Sequence, residues 1–377
     1  MNNSEVLYGK VFDTLSSLVS VSHVAHLKNW VWIVVGLLQG QSVALPQIAV
    51  HIPGEAAAES RVTTLRRWLK NLKIEIWPFY RPVLERVLEG WQAVEATVVL
   101  DGVMVFGDRW QIFRLSLLHG NRAIPLTWKG VPGTGVIPVE TMAPLLRQVA
   151  DLLRGRVACV CFLADRGFRD VDWAALCREV GWHYDIRLPR NTIVHLPDCT
   201  ECRIDALDVP PGESRFFPNV SLTQKTPWPA NLSVTWTEGD DAHPAEWVAV
   251  MSDRPAGPSR LAEYGLRMAI EQSFRDDKSG GFDLAHTRLC HPERLERLLL
   301  AVAIATLWCH ELGEFVVLQG DACRREIDPG PERELSLFQL GLRWLKRCLS
   351  TALHRLAPFV ARLTPIHLPP VIQPIQT

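Results

Sequence analysis

The sequence predicts an α/β fold in which helices flank a mixed sheet, with a helical N-terminal region and a β-rich insertion. Three patterns support this prediction. Apolar residues recur at helical spacing over residues 1–94. Short β-branched runs separated by Gly-Asp and Gly-Asn turns follow, and after them strands alternate with helices. Residues 190–257 are rich in Pro, Gly and Thr and show little helical patterning, which indicates the insertion.

These patterns divide the chain into five segments. They are a helical region at 1–94, a first part of the core at 95–189, the β-rich insertion at 190–257, the remainder of the core at 258–312, and a C-terminal helical region with a Pro-rich tail at 313–377. With 377 residues, the chain is long enough to bury a sizeable hydrophobic core without disulfides.

The pattern of the core segments predicts three antiparallel strands followed by alternating helices and strands. The strands are expected at 96–106, 110–118, 123–128, 157–164 and 183–188, and the helices at 141–153, 173–180, 261–278, 295–312 and 336–353. The run 157–164 is almost wholly apolar, which is typical of a strand buried on both faces.

Composition and charge exclude several classes of protein. Hydrophobic residues make up 47% of the chain and charged residues 21%, which excludes wholesale disorder. The net charge of −1 argues against a polybasic mode of nucleic-acid binding, but it allows a local basic groove. Residues 190–256 contain ten acidic and five basic residues, so the rest of the chain is net positive. We therefore expect the insertion to contact DNA locally or not at all.

The sequence also predicts a cytoplasmic protein. The apolar runs at 30–38 and 298–309 are shorter than the ~17 residues that cross a bilayer, so no membrane span is expected. The first ten residues lack the features of a signal peptide. Nine cysteines in no regular framework fit a reducing compartment, and the lone Cys199-x-x-Cys202 pair predicts no zinc site.

A basic helix is predicted near residues 60–73. This segment contains no acidic residue, and its apolar residues Val62, Leu65, Leu69 and Leu72 recur at helical spacing. Its cations are Arg61, Arg66, Arg67, Lys70 and Lys73. One interpretation is a helix that contacts DNA phosphates, as in a helix-turn-helix unit. The other is a solvated helix face, and the residues alone leave both open.

Two aspartates follow apolar strands. Asp101 ends the run VVL, and Asp165 ends the run VACVCFLA. Strand ends that meet at one crevice are where sites form in α/β sheets. Two adjacent carboxylates repel each other unless a cation lies between them, and oxygen ligands without His or Cys select Mg²⁺ or Mn²⁺. For either aspartate alone, capping of a turn is the competing interpretation.

A third carboxylate lies on a predicted helix with an unusual polar stripe. Tyr264, Arg267, Glu271 and Lys278 are spaced by three, four and seven residues, which places them on one face of a continuous helix. Such a stripe is not a core face. It is either a solvated surface with an Arg267–Glu271 pair or a face directed at a metal and a polyanion.

This spacing resembles the YREK signature of the IS4-family DDE transposases. Asp101 in VVLDG and Asp165 in FLADRGF resemble the two aspartates of that family, in the same order and strand context. The resemblance extends from about Thr97 to Gly281, and SLFQLGLRWL near the C-terminus also resembles the family.

The resemblance implies a ribonuclease-H-like core whose β-rich insertion lies between the second aspartate and the glutamate. It implies that Asp101, Asp165 and Glu271 hold two Mg²⁺ (or Mn²⁺) ions. It also implies that Tyr264, Arg267 and Lys278 contact DNA backbone. Trp247 is similar to a tryptophan that stacks on a flipped base in some members, although packing in a small β-core is an equal alternative.

The implied activity is cleavage of transposon ends and transfer of the 3′-OH to target DNA. The implied partners are double-stranded terminal inverted repeats, target DNA and a second copy of the chain in a homodimer, in the cytoplasm of a bacterium. Two alternatives remain open: a catalytically silent DNA-binding protein derived from such an enzyme, and a metal-dependent DNA nuclease without strand transfer.

Overall fold

The N-terminal region is helical, as predicted. The structure is a computed structural model that describes residues 2–223, 227–237 and 245–365. Five helices precede the sheet: α1 (Asn3–Leu18), α2 (Val24–Gly40), α3 (Leu45–Val50), α4 (Ala58–Lys70) and α5 (Ile76–Val87). A capping box fixes the start of α1, since the Asn2 side chain accepts from the backbone N–H of Glu5 and the Glu5 carboxylate accepts from that of Asn2.

The core is a mixed sheet flanked by helices. Its elements are β1 (Glu95–Val105), β2 (Trp110–His119), β3 (Arg122–Pro132), α6 (Val139–Leu153), β4 (Cys159–Ala164), α7 (Val171–Glu179) and β5 (His183–Leu188). Strands β1, β2 and β3 form an antiparallel meander, whereas β4 is parallel to β1 and β5 is parallel to β4. The resulting order β3-β2-β1-β4-β5 is that of a ribonuclease-H-like sheet. The predicted fold class is confirmed.

The insertion is β-rich, as predicted, and it extends the core sheet instead of forming a separate one. It contributes β6 (Ile193–His195), β7 (Glu201–Arg203), β8 (Ser214–Leu222), β9 (Trp228–Trp236) and β10 (Trp247–Ser252). Strand β10 pairs antiparallel with β5, with Ala249 opposite Leu188. In the described part of the chain the sheet therefore has ten strands, in the order β3-β2-β1-β4-β5-β10-β9-β8-β6-β7.

The predicted continuous helix at 261–278 is wrong. The chain forms α8 (Pro258–Gly265) and α9 (Met268–Arg275), with a break at 266–267, and a single π-helical turn at Asp276–Gly280 ends α9. Three further helices follow: α10 (Pro292–Leu318), α11 (Asp321–Arg324) and α12 (Leu337–Thr351). Most of the predicted Pro-rich tail lies outside the described residues, which end at position 365.

Helix α10 is the central helix of the core. By length and composition it could cross a membrane, but 89% of its apolar window is buried inside the fold. Two carboxylates of this helix accept hydrogen bonds from backbone N–H groups of the C-terminal segment. Glu311 accepts from Val360 and Arg362, and Glu314 accepts from Thr364. The helix therefore organises the protein interior and fixes the path of the C-terminal chain.

Helices α10 and α12 cross with their backbones in contact. A Cβ atom placed on Gly341 would collide with the Cys309 carbonyl oxygen, and one on Gly313 would collide with the Leu337 carbonyl oxygen. Both glycines are buried between the helices. Glycine at these positions is what allows this close approach.

We predict that Gly341→Ala lowers the free energy of unfolding by about 3 kcal/mol or more, because the added methyl group forces the two helices apart. Denaturant unfolding followed by circular dichroism measures the change. Gly9→Ala is the matched control, since Gly9 lies in α1 with open space around it. That change should be neutral or stabilising by up to about 1 kcal/mol. Equal stability of both variants would contradict the proposed close packing.

Candidate active site

The parallel pairing of β1 with β4 brings two of the predicted site residues together. The last residues paired between these strands are Leu100 and Ala164, so Asp101 and Asp165 are the next residues on the two chains. Adjacent strands lie ~4.8 Å apart, and residues at matching positions point to the same face of a sheet. The two carboxylates therefore lie side by side at the end of the β1–β4 pairing.

Asp101 does not end its strand, contrary to the prediction. Strand β1 continues to Val105 in its pairing with β2, and only the pairing with β4 stops before Asp101. The side chain is 16% exposed. Its Oδ1 accepts a 2.7 Å hydrogen bond from the Gly102 N–H, so the carboxylate is fixed from its own backbone.

Asp165 is the N-cap of a short 3₁₀ turn at Arg166–Phe168, where its Oδ1 accepts from the Gly167 N–H. The turn is anchored by Phe168, whose ring packs edge-on against Phe113 of β2 and Trp173 of α7. Asp165 therefore caps a turn, as one interpretation of the sequence proposed. Capping uses only one carboxylate oxygen, so Asp165 can cap the turn and also belong to the site beside Asp101.

Arg267 joins Asp101 to Glu271. Its Nη1 donates to Asp101 Oδ2 at 2.7 Å, and its Nη2 donates to Glu271 Oε1 at 2.5 Å. Arg267 lies in the break between α8 and α9, and Glu271 lies one turn further along α9. A single guanidinium group therefore bridges a strand carboxylate and a helix carboxylate that are 170 positions apart, counting from residue 101 to residue 271.

The electrostatics of these groups are coupled. Burial raises the pKa of Asp101 to about 6, against the opposing effects of Arg267 and the Gly102 N–H, and the Asp165 and Glu271 carboxylates raise it further. Desolvation lowers the pKa of Arg267, but Tyr264, Asp101 and Glu271 outweigh this and the net shift is upward. Arg267 pairs with two of the three carboxylates, and Asp165 adds a third negative charge beside Asp101, so the group has an excess of negative charge.

Two buried ion pairs hold the end of α9 against the sheet. Asp277 pairs with Arg114 of β2, and Asp276 pairs with Arg122 of β3 at 2.5 Å. Ser273 Oγ also accepts a 2.7 Å bond from the backbone N–H of Ala123. These contacts join segments that are distant in the sequence and were not predicted. Their only signal was the Asp-Asp pair next to Lys278, and its partners lie more than 150 positions away.

The other residues of the predicted polar stripe differ in their surroundings. Tyr264 is buried, with its ring 5.9 Å from the Arg267 guanidinium carbon, and burial raises the pKa of its hydroxyl. Lys278 is half-buried within the π-helical turn that follows α9. Tyr264 and Glu271 both lie beside Arg267, and Lys278 follows in the π-helical turn after α9.

Trp247 begins β10 and is 7% exposed. Its ring packs edge-on against Trp236 of β9, with 5.3 Å between the ring centroids. The structure thus places it in the small β-core that the sequence offered as the alternative. Stacking on a flipped base stays a prediction, and it would require Trp247 to separate from Trp236.

The donor set of the candidate site fits a hard divalent cation. Asp101, Asp165 and Glu271 offer only carboxylate oxygens, which Mg²⁺ and Mn²⁺ prefer, and their charge exceeds that of Arg267. A second cluster formed by Cys161, Asp185 and Glu263 has a ligand-like geometry, with all ligand atoms within 4.8 Å. Arg254 Nη2 already contacts all three side chains, at 2.9, 2.7 and 2.5 Å. This second cluster is an ion-paired one that is filled by arginine.

The basic helix α4 presents an exposed cationic face, but its apolar stripe differs from the prediction. Arg66, Arg67, Lys70 and Lys73 are exposed, and Arg61 donates to the Gly54 carbonyl oxygen. Leu72 is 75% exposed because the helix ends at Lys70, so the predicted burial of Leu72 is wrong. Trp68 takes its place in the buried stripe.

Trp68 also fixes how α4 sits on the fold. Its indole N–H donates to the His26 carbonyl oxygen at 2.8 Å, and Arg297 of α10 donates to the carbonyl oxygens of Leu69 and Ile74. These bonds fix α4 against α2 and α10, with its cationic side chains toward solvent.

Comparison with known proteins bears on this site. Residues 139–308 match the family model described as "Transposase DDE domain". The match supports a DDE transposase. It contains Asp165 and Glu271 and begins after Asp101, and it does not distinguish subfamilies. No curated protein sequence gives a significant match. Among solved structures, the piggyBac transposase synaptic complex with hairpin DNA aligns with a TM-score of 0.44 and 11% identity, over 94% of this chain and 81% of that chain.

The raised pKa of Asp101 predicts a specific pH dependence of stability. The folded protein binds this proton more tightly than the unfolded chain, whose pKa is 3.8. Stability from protonated Asp101 is therefore fully present below about pH 4 and is lost as the pH rises through about 6. In EDTA at pH 7.5, Asp101→Asn should be more stable than wild type by up to about 3 kcal/mol.

Urea unfolding at pH 4 and pH 7.5 measures this difference, which should vanish at the lower pH. Asp151→Asn is the control, because Asp151 is 60% exposed and lies outside the site. A pH-independent effect of Asp101→Asn would show that the carboxylate is not destabilised by burial.

Proposed function

We propose that the protein is a DNA transposase of the IS4 type that cleaves transposon ends and joins the 3′-OH to target DNA. One observation carries the proposal: Asp101 and Asp165 lie side by side, and Arg267 ties Asp101 to Glu271. The family match over 139–308 supports the transposase class. The YREK spacing supports the finer assignment, since Tyr264, Arg267, Glu271 and Lys278 all occur within one segment.

In this proposal Asp101, Asp165 and Glu271 act as metal ligands. Two Mg²⁺ or Mn²⁺ ions bound there would supply Lewis-acid activation of the attacking oxygen and stabilise the leaving 3′ oxygen. The chain itself fixes the ligands: Gly102 N–H orients Asp101, and the 3₁₀ turn orients Asp165. The Arg114–Asp277 and Arg122–Asp276 pairs hold α9, and with it Glu271, over the strand ends.

DNA contacts follow from the charges around this site. Arg267 and Lys278 would bind backbone phosphates near the cleaved end, and Tyr264 would lie beside them. Arg66, Arg67 and Lys70 on α4, with Lys73 just after it, form an exposed face suited to phosphates of the same DNA. Pairing of two transposon ends calls for a homodimer on DNA, and Trp247 is the candidate for stacking on an unpaired base.

We predict that Asp101→Asn, Asp165→Asn and Glu271→Gln each abolish cleavage while leaving DNA binding within about threefold of wild type. Each change removes a metal ligand without altering the shape of the side chain. The assay uses purified protein, Mg²⁺ and labelled duplex with the inverted repeats that flank the gene. Nicking and joining to a plasmid are both followed.

Asp151→Asn is again the control and should keep full activity. Cleavage by the Glu271→Gln variant at the wild-type rate would overturn the assignment of the site. Two further outcomes correspond to the alternative functions. Cleavage without joining would identify a nuclease, and tight binding without cleavage by the wild-type protein would identify a catalytically silent DNA-binding protein.

The basic helix gives a separate prediction. The triple change of Arg66, Arg67 and Lys70 to Gln should weaken binding to any duplex and reduce the slope of log K against log salt by about 0.9 for each phosphate that is no longer neutralised. Fluorescence anisotropy over a range of salt concentrations measures this. Arg154→Gln is the control, since Arg154 is 74% exposed at the far end of α6. An unchanged slope in the triple variant would identify α4 as a solvated face.

A further inference from the structure

We propose that Arg267 is a built-in counter-ion of the carboxylate site, which must release Asp101 and Glu271 before a divalent cation binds there. The released guanidinium is then free to bind a DNA phosphate. The inference rests on the proposed function, because it assumes that the carboxylates are metal ligands. It adds an exchange of cations, in which the Arg267 guanidinium leaves the carboxylates as a divalent metal ion binds to them.

The geometry of Arg267 is that of a substitute for a metal ion. Its two terminal nitrogens each bind a different carboxylate, with Nη1 at 2.7 Å from Asp101 Oδ2 and Nη2 at 2.5 Å from Glu271 Oε1. The side chain is 10% exposed, so these bonds are largely shielded from water. A planar guanidinium can bridge two carboxylates in this way, whereas an ammonium group is a point charge on a flexible stem.

Competition follows because both cations need the same oxygen atoms. A divalent ion binds carboxylate oxygens at ~2.0–2.6 Å, which leaves no room for an arginine nitrogen at 2.7 Å on the same lone pairs. The Asp165 carboxylate adds a third negative charge beside Asp101. A divalent ion balances three carboxylates better than a single guanidinium does, so the charges favour the exchange when metal is present.

The surroundings of Arg267 allow it to leave. It lies at the junction of α8 and α9, where the N–H groups of Leu266 and Arg267 bond to carbonyl oxygens three residues back, so this turn belongs to neither α-helix. Its neighbours Leu266 and Met268 are 51% and 49% exposed, and the Glu271 side chain is 40% exposed. The segment that carries Arg267 is therefore at the protein surface, and one of its two carboxylate partners is partly open to solvent.

The exchange couples metal binding to DNA binding. A phosphate that captures the released guanidinium favours the metal-bound state, and by linkage the metal favours binding of the phosphate to the same degree. Without DNA, Arg267 lowers the affinity for metal. The carboxylates would thus load with metal most readily when a DNA strand is already present.

The test measures binding of Mn²⁺ alone to the full chain by calorimetry, at pH 7.5 and without DNA. Arg267→Gln should bind Mn²⁺ about tenfold more tightly than wild type, because the competing group is gone. Arg267→Lys keeps the charge but cannot bridge both carboxylates, so its affinity should resemble that of Arg267→Gln. The lysine variant also serves if the glutamine variant does not fold.

A control and a second measurement complete the design. Arg275→Gln removes the charge of an exposed arginine on the same helix and should keep the wild-type affinity. Thermal unfolding in EDTA should show Arg267→Gln less stable than wild type, since Asp101 and Glu271 lose their partner. Addition of Mn²⁺ should then stabilise this variant by more degrees than it stabilises wild type.

Two results would overturn the inference alone. One is an unchanged Mn²⁺ affinity in Arg267→Gln. The other is tighter binding in Arg267→Gln with wild-type affinity in Arg267→Lys, which would show simple charge repulsion without competition for the oxygens. Failure of the proposed function is a distinct result: neither wild type nor Arg267→Gln would then bind Mn²⁺, or the binding would be unaffected by Asp101→Asn.

Discussion

The pairing register between β1 and β4 is the constraint on which the candidate site depends. It sets Leu100 opposite Ala164 and therefore Asp101 beside Asp165. The parallel pairing extends over six residues of each strand, from Glu95 opposite Cys159 to Leu100 opposite Ala164. Strand β4 is buried almost throughout, and Val98, Val99 and Leu100 of β1 are fully buried. The hydrophobic core thus determines where two charged groups meet.

The third carboxylate depends on a different kind of interaction. Helix α9 is joined to the antiparallel strands by Arg114–Asp277 and Arg122–Asp276, and the members of these pairs are at most 15% exposed. Buried ion pairs add little net stability, because desolvation offsets much of their attraction, but breaking one leaves a costly unpaired charge. Their effect is to exclude other positions of α9. They therefore fix the distance between Glu271 and the strand ends more than they stabilise the fold.

Much of this architecture could be predicted from local sequence, and the exceptions share a physical cause. Strand β5 was predicted with its observed bounds because its turn signals lie next to it. The break before α9 could not be predicted, since apolar periodicity continues through Leu266 and Met268 although both are exposed. The pairing of β10 with β5 could not be predicted either, because pairing between distant segments leaves no local sequence pattern. The adjacency of Asp101 and Asp165 was predicted, although Asp101 does not end its strand, and the Arg267 bridge that joins Asp101 to Glu271 required the fold.

Two arginine-bridged clusters in this protein show how charge balance separates a structural group from a functional one. At Asp185 and Glu263, two carboxylates meet two guanidinium groups, those of Arg254 and Arg260, so the charges of this cluster balance. Arg267 pairs with two carboxylates, Asp101 and Glu271, and a third, Asp165, acts on Asp101; the Glu271 side chain is 40% exposed. A neutral buried cluster gains nothing from another cation, whereas a negative and partly open one does. The same guanidinium–carboxylate contact therefore balances the charge at one site and leaves an excess of negative charge at the other.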